Sequence, residues 1–260
     1  MSLIVLEGLD GSGKGTQAKL LAEALVCRGV PLRPVTFPDY SSPSSSLVKM
    51  YLNGEFGAEP EDVNAYAASA FYAVDRFASF RKGWGGDYRQ GKLILCDRYA
   101  TSNMVYQMGK LPRVEWDGYL AWVEDFEYQK LGIPRPDLVL YLDMPTERAV
   151  DMLRQRERDT HTQGDIHETD SATWRSCALA GNAPAMPGSV WAGRWSPARR
   201  AGSPCPWRRS TGRCWRLWSL CWKNLERREP YGRAGQKAFG GAKDRVEGRQ
   251  LWQRACHGHQ

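Results

Sequence analysis

Gly8-Leu9-Asp10-Gly11-Ser12-Gly13-Lys14-Gly15-Thr16 decides how the rest of this chain reads. It has the form G-x-x-x-x-G-K, preceded by the apolar run Leu3-Ile4-Val5-Leu6 and followed by an amphipathic stretch in which Ala18, Leu21, Ala22 and Leu25 share one face. A strand, a glycine-rich turn and a helix in that order form a phosphate cradle. The glycines let backbone N–H groups curl round an anion, the helix N-terminus adds partial positive charge, and the lysine reaches the outer phosphates. The position after the lysine, ordinarily a magnesium-facing hydroxyl, is Gly15, so a metal must lean on water, Thr16 or carboxylates elsewhere.

Working outward, three more strand-like runs follow, Leu32 to Phe37, Leu93 to Cys96 and Leu138 to Leu142, to be added to Ser2 to Leu6. Helical spacing fills the intervals, over Lys14 to Cys27, Val63 to Phe80 and Trp116 to Leu131. Alternation of this kind predicts an α/β fold of the P-loop NTPase type, three layers deep with a parallel sheet. The third run ends in Asp97-Arg98, at the carboxyl edge where open α/β sheets bind ligands. There an aspartate can hold hydrated magnesium and an arginine can fork onto a second phosphate. A surface ion pair capping the strand is the plainer reading of the same two residues.

Composition changes abruptly at Asp170. The chain of 260 residues carries a formal charge of +7, but residues 1–170 hold 19 basic and 25 acidic side chains and residues 171–260 hold 17 and 4. That last third has 8 of the 11 Trp, 5 of the 7 Cys and 14 Arg, no Ile and two Val. So few branched apolar residues cannot offset chain entropy, and a largely disordered tail without its own fold is expected. Cys205, Cys214, Cys221 and Cys256 lack paired metal-ligand spacing, and His257 and His259 form no site with them. No run approaches a membrane span, and no basic-flanked leader is present. A cytoplasmic protein with reduced Cys27 and Cys96 is the expectation.

Taken in order, several segments resemble the thymidylate kinase family. They are Leu6-Glu7-Gly8-Leu9-Asp10-Gly11-Ser12-Gly13-Lys14, Phe37-Pro38-Asp39-Tyr40, Tyr72-Ala73-Val74-Asp75-Arg76, Asp97-Arg98-Tyr99-Ala100-Thr101-Ser102, Pro136 to Asp143 and Asp165-Ile166-His167-Glu168-Thr169-Asp170. The resemblance covers residues 1–170 and implies phosphoryl transfer from ATP to dTMP, with Mg2+ and as a homodimer. It implies that residues 8–16 bind ATP, that Lys14, Asp97 and Arg98 are catalytic, and that a lid at about 146–165 supplies Arg154 and Arg158, since the loop arginine of some relatives is here Gly11. For the acceptor it implies Asp10 at the sugar or metal, Phe37 at the border, Tyr72 or Phe71 stacked on the base and Arg76 on a base carbonyl. Arg98 would hold the phosphate, Ser102, Asn103 and Gln107 would line the base pocket, and Tyr106 would crowd a ribose 2′-hydroxyl. Asp10, Asp97 and Glu168 are the implied metal residues. Without the resemblance, Phe71, Tyr72 and Tyr106 read as ordinary helix core, and Arg154 and Arg158 as a solvated face.

Past Asp170 the family's x-x-Tyr-Leu is replaced by Ser171-Ala172-Thr173-Trp174-Arg175. These residues can be encoded as TCG-GCT-ACC-TGG-CG, and that choice of codons, read one base earlier after a final C, gives Leu-Gly-Tyr-Leu-Ala. The tail therefore reads as out-of-frame translation, and the fold is expected to lack its last strand and helix. Two alternatives stand beside dTMP phosphorylation: another nucleotide or deoxynucleoside kinase, and an inactive truncated kinase whose Arg/Trp tail binds nucleic acid.

Overall fold

A computed structural model describes residues 2–142 and 144–160 of the chain. The boundary expected at Asp170, the tail and Glu168 lie outside the described residues. Four strands, β1 (Ser2–Gly8), β2 (Leu32–Thr36), β3 (Leu93–Asp97) and β4 (Leu138–Leu142), form a parallel sheet in the order β2-β3-β1-β4. Register is continuous across it, with Ile4 beside Leu95 on one side and beside Leu138 on the other.

The two-residue period of β1 explains the layers. Leu3 and Val5 join Ile94, Cys96 and Val139 on one face, under Trp84, Tyr99 and Ile133. Ile4 and Leu6 join Leu93, Leu95, Leu138 and Leu140 on the other, where Leu25 of α1 (Lys14–Val26) packs with Ala18, Leu21 and Ala22 behind it. Strands covered on both faces carry unbroken β-branched and aliphatic runs, as β1, β3 and β4 do, whereas the edge strand β2 exposes Arg33 and Pro34. Complete burial of each such side chain contributes about 1.5–3 kcal/mol relative to exposure.

On the Leu3 face lie α2 (Ser46–Leu52), α3 (Ala65–Ser79), α4 (Gly85–Arg89), α5 (Ala100–Tyr106) and α6 (Trp116–Val123). Asn64 caps α3, its side-chain oxygen accepting from the Ala67 amide at 2.9 Å. Helix α3 ends in a π-helical turn at Phe80–Trp84, and α6 runs on into another at Glu124–Lys130, so the two long helices expected from the periodicity are each wound in two ways. The last described helix, α7 (Thr146–Thr160), buries Ala149 and Leu153 against Leu9 and Val105 and so lies over the phosphate loop.

Candidate active site

Because α1 leaves β1 on one face and α5 leaves β3 on the other, the chain diverges at the carboxyl ends of the two central strands. A crevice is the geometric result. It holds a cavity of about 810 Å³ into which the phosphate loop, the Asp97-Arg98 turn, α3, α5 and α7 all project.

The loop owes its path to its glycines. Gly11 and Gly13 sit at φ 75° and 82°, in the left-handed region that side chains resist. A Cβ on Gly11 would fall on the carbonyl oxygen of Ala149, so a residue with a side chain there is incompatible with α7 as it packs. Lys14 is buried and its Nζ donates to the Leu9 carbonyl at 2.9 Å, with Asp10 Oδ1 3.4 Å away.

Beside Lys14, on the other side of the Asp10 carboxylate, Arg98 is the described non-glycine residue with positive φ, 68°. Such a conformation costs about 1–2 kcal/mol. It is held by the Arg98 amide donating to the Leu6 carbonyl at 3.0 Å and the Tyr99 amide donating to Glu7 Oε1 at 3.0 Å. The guanidinium pairs with Asp10 Oδ1 and lies over the Tyr106 ring at 5.0 Å, while the Tyr106 hydroxyl donates to Asp10 Oδ2 at 2.8 Å. Burial pushes the Asp10 carboxyl up, but Arg98 and Lys14 together hold it well below the usual carboxylate range. Burial and the nearby Arg98 cation lower the Lys14 pKa. Lys14 and Arg98 stand among Asp10, Glu7 and Asp97, so an incoming polyanion would compete with these carboxylates for the two cations.

Magnesium can be tested against the carboxylates. Asp97 has one buried oxygen, Oδ1, without a hydrogen-bond partner, and burial raises its pKa. Asp97 Oδ2 would stand 3.3 Å from a Cβ on residue 15, so Gly15 leaves room in front of it. An orphan carboxylate oxygen beside a phosphate loop fits a hydrated cation, which needs only one or two carboxylates when phosphates supply the rest. Asp10 fits less well as a metal residue, because both its oxygens are already engaged by Arg98, Lys14 and Tyr106.

Most of the implied residues meet at the cavity. Asp10, Gly11, Gly13, Lys14, Gly15 and Thr16 line one end, and Phe37, Tyr72, Arg76, Asp97, Arg98, Ser102, Asn103, Tyr106 and Gln107 line the remainder. Gly8, Leu9 and Ser12 shape the loop from beneath rather than lining it. Of the two aromatic candidates, Tyr72 borders the cavity. Phe71 instead packs beside Tyr51 and Phe56, with ring centroids 6.4 and 5.6 Å apart. Arg154 and Arg158 are exposed and do not line the cavity, and Arg158 donates to Gln155 at 2.9 Å. Arg156 is exposed as well but lines the cavity, with Met152 and Leu153, because it follows Ala149 and Leu153 at i, i+4, i+7 on the side of α7 that meets the loop.

Two buried carboxylates escaped the sequence reading. Glu7, fully buried, accepts from the Tyr99 amide, from Thr101 Oγ1 at 2.7 Å and from Ser102 Oγ at 2.9 Å. Burial raises its pKa against the pull of Arg98. Glu127 pairs with Arg76 through both Nε, at 3.0 Å, and Nη2. Glu7 stands inside the quoted motif and could have been suspected. Glu127 has no local signal.

Comparison with known proteins follows the same line. The thymidylate kinase family model matches residues 6–180. The thymidylate kinase of Mycobacterium tuberculosis is 30% identical over 213 residues, covering 78% of this chain and 97% of that protein. A probable thymidylate kinase of Pyrococcus horikoshii is 33% identical over 153 residues, 59% of this chain and 70% of the relative. A solved thymidylate kinase structure from Candida albicans superposes with a TM-score of 0.58 at 22% identity, covering 86% of this chain and 92% of that one, a likeness of fold. The family match runs ten residues past Asp170, where the resemblance was expected to stop. With its phosphate loop, its Asp97-Arg98 turn and a family match over residues 6–180, the chain belongs to the thymidylate kinase family.

Proposed function

We propose that this chain transfers the γ-phosphoryl group of ATP to the 5′-phosphate of dTMP, giving ADP and dTDP, in the cytoplasm and as a homodimer. The observation that carries the reading is one cavity lined by both the Lys14 loop and Arg98, with the Asp10 carboxylate between the two cations. The donor triphosphate would lie in the loop, with Lys14 at its outer phosphates, and the acceptor phosphate would take Arg98 from Asp10. The attacking oxygen of dTMP is already ionised, so no general base is required. Catalysis is then positioning and charge neutralisation. Arg156, which α7 brings to the cavity, would supply the cation that Gly11 does not. Asp97 with Thr16 would hold hydrated magnesium, which would supply charge neutralisation at the phosphates.

On the acceptor side, Tyr72 would meet the face of the base, Arg76, Asn103 and Gln107 its polar edge, and Tyr106 the sugar. Gln107 presents a buried oxygen without a partner, an acceptor in want of a donor. No described helix is long and apolar enough to cross a membrane. The exposed Tyr66 and Val74 of α3 are the apolar side chains that a helical dimer contact would cover.

A coupled ADP-release assay with dTMP, dUMP, dCMP and thymidine in parallel tests the reading. Turnover is expected with dTMP in preference to the others. Turnover of thymidine without dTMP would instead favour a nucleoside kinase, with Asp97 as its base.

A further inference from the structure

We propose that Glu127 is a positioning residue which sets the hydrogen-bond polarity of the acceptor-base pocket, acting through Arg76 and Asn103. It rests on the acceptor being dTMP, as proposed above. Glu127 is 1% exposed and lies in the π-helical stretch that continues α6, a form concentrated at functional sites. It is 51 residues from Arg76 in sequence and takes the Arg76 Nε–H at 3.0 Å and an Nη2–H as well. Its Oε1 also accepts from Asn103 Nδ2 at 3.1 Å, and the same amide nitrogen donates to the Ser69 carbonyl at 3.3 Å.

These bonds decide which atoms remain for a ligand. Arg76 spends one N–H on the Tyr99 carbonyl, at 3.4 Å, and two on Glu127, so about two of its five N–H groups are left at the cavity it lines. Asn103 has its nitrogen committed, so its carbonyl oxygen is the atom left for the cavity that it also lines. A donor and an acceptor side by side match a ring carbonyl next to a ring N–H, the edge of thymine or uracil. Cytosine offers the reverse pattern, an amino group next to a bare ring nitrogen. Were Glu127 neutral and able to donate, the Asn103 nitrogen would be held by the Ser69 carbonyl alone, at 3.3 Å, its orientation would be less firmly set, and Arg76 would lose the partner that fixes its plane. Glu127 therefore selects between pyrimidines without touching either.

The test uses the full-length chain with Glu127→Gln and Glu127→Asp, and measures KM and kcat for dTMP, dCMP and ATP together with thermal midpoints. For Glu127→Gln, the expected result is a rise in the dTMP KM of at least tenfold and a fall in the dTMP-over-dCMP preference of at least fivefold, with the ATP KM within twofold. Glu127→Asp keeps the charge that holds Arg76 folded and is expected to raise the dTMP KM at least threefold with ATP unchanged. It decides the matter should the Gln variant fail to fold. A role confined to stability would move the dTMP and ATP constants together, and that outcome, or no change in either, overturns the inference. A wild-type chain that turned over dCMP and not dTMP would overturn both the function and this role. A wild type selective for dTMP beside variants equally selective overturns the role of Glu127 alone.

Discussion

Removing the Glu7 side chain should unfold more of this protein than removing its charge. Three donors, the Tyr99 amide and the hydroxyls of Thr101 and Ser102, end on its buried carboxylate, chiefly on Oε1. In Glu7→Ala each is left without that acceptor, at about 1–3 kcal/mol apiece, so a loss of roughly 3–9 kcal/mol is expected. At about 2–4 °C per kcal/mol for a chain of this size, the thermal midpoint should fall by on the order of 10 °C or more. In Glu7→Gln an oxygen can remain in place of Oε1, so the donors keep a partner. The sign of the charge effect follows from the pKa. Burial raises it in the folded protein, so the ionised form is disfavoured by folding, and stability from this group is full in acid and lost as pH rises through the raised value. Glu7→Gln escapes that loss. Its stability relative to wild type should therefore improve from about pH 4.3 toward neutrality, whereas Glu7→Ala stays below both throughout. Urea denaturation of the three proteins between about pH 3.5 and 8, a range spanning the ordinary carboxylate value, measures this directly. A Glu7→Ala protein as stable as wild type, or a Glu7→Gln protein as damaged as Glu7→Ala at neutral pH, would refute the reasoning.

The remaining expectations concern the cavity. Arg156→Ala should lower kcat by about 10–1000-fold in steady-state assays, as loss of a transition-state cation does, whereas Arg154→Ala and Arg158→Ala should stay within about twofold. Asp97→Asn should raise the magnesium concentration that half-saturates activity by about 10–100-fold, measured by titration at fixed ATP. Gly11→Arg, which would restore the arginine of some relatives, should destabilise the protein by more than about 1 kcal/mol in urea, through its left-handed φ and the collision with Ala149.

How far the residues alone lead depends on whether a feature is local. The central strands were legible because alternation on two buried faces leaves unbroken aliphatic runs. β1 proved two residues longer because Glu7 and Gly8 pair on with Tyr141 and Leu142, a partnership between distant segments. The phosphate loop and the Asp97-Arg98 turn were legible because each is one short motif at a strand end. Among Arg154, Arg156 and Arg158, pairing arginines four apart leads to two that lie off the cavity, while following Ala149 and Leu153 leads to Arg156, which lines it. Glu127 was illegible for a stronger reason. Its partners Arg76 and Asn103 come from α3 and α5, and nothing near it in sequence foretells that the π-helical turn brings them together.

The account's central claim is that donor and acceptor anions share one cavity, Lys14 serving the first and Arg98 the second. Calorimetric titration with adenosine and deoxythymidine joined 5′ to 5′ through five phosphates measures this most directly. The account predicts one molecule bound per chain, at least about tenfold tighter than ATP or dTMP alone, with that advantage lost in both Lys14→Met and Arg98→Met. Binding no tighter than ATP, and indifferent to Arg98→Met, would contradict it.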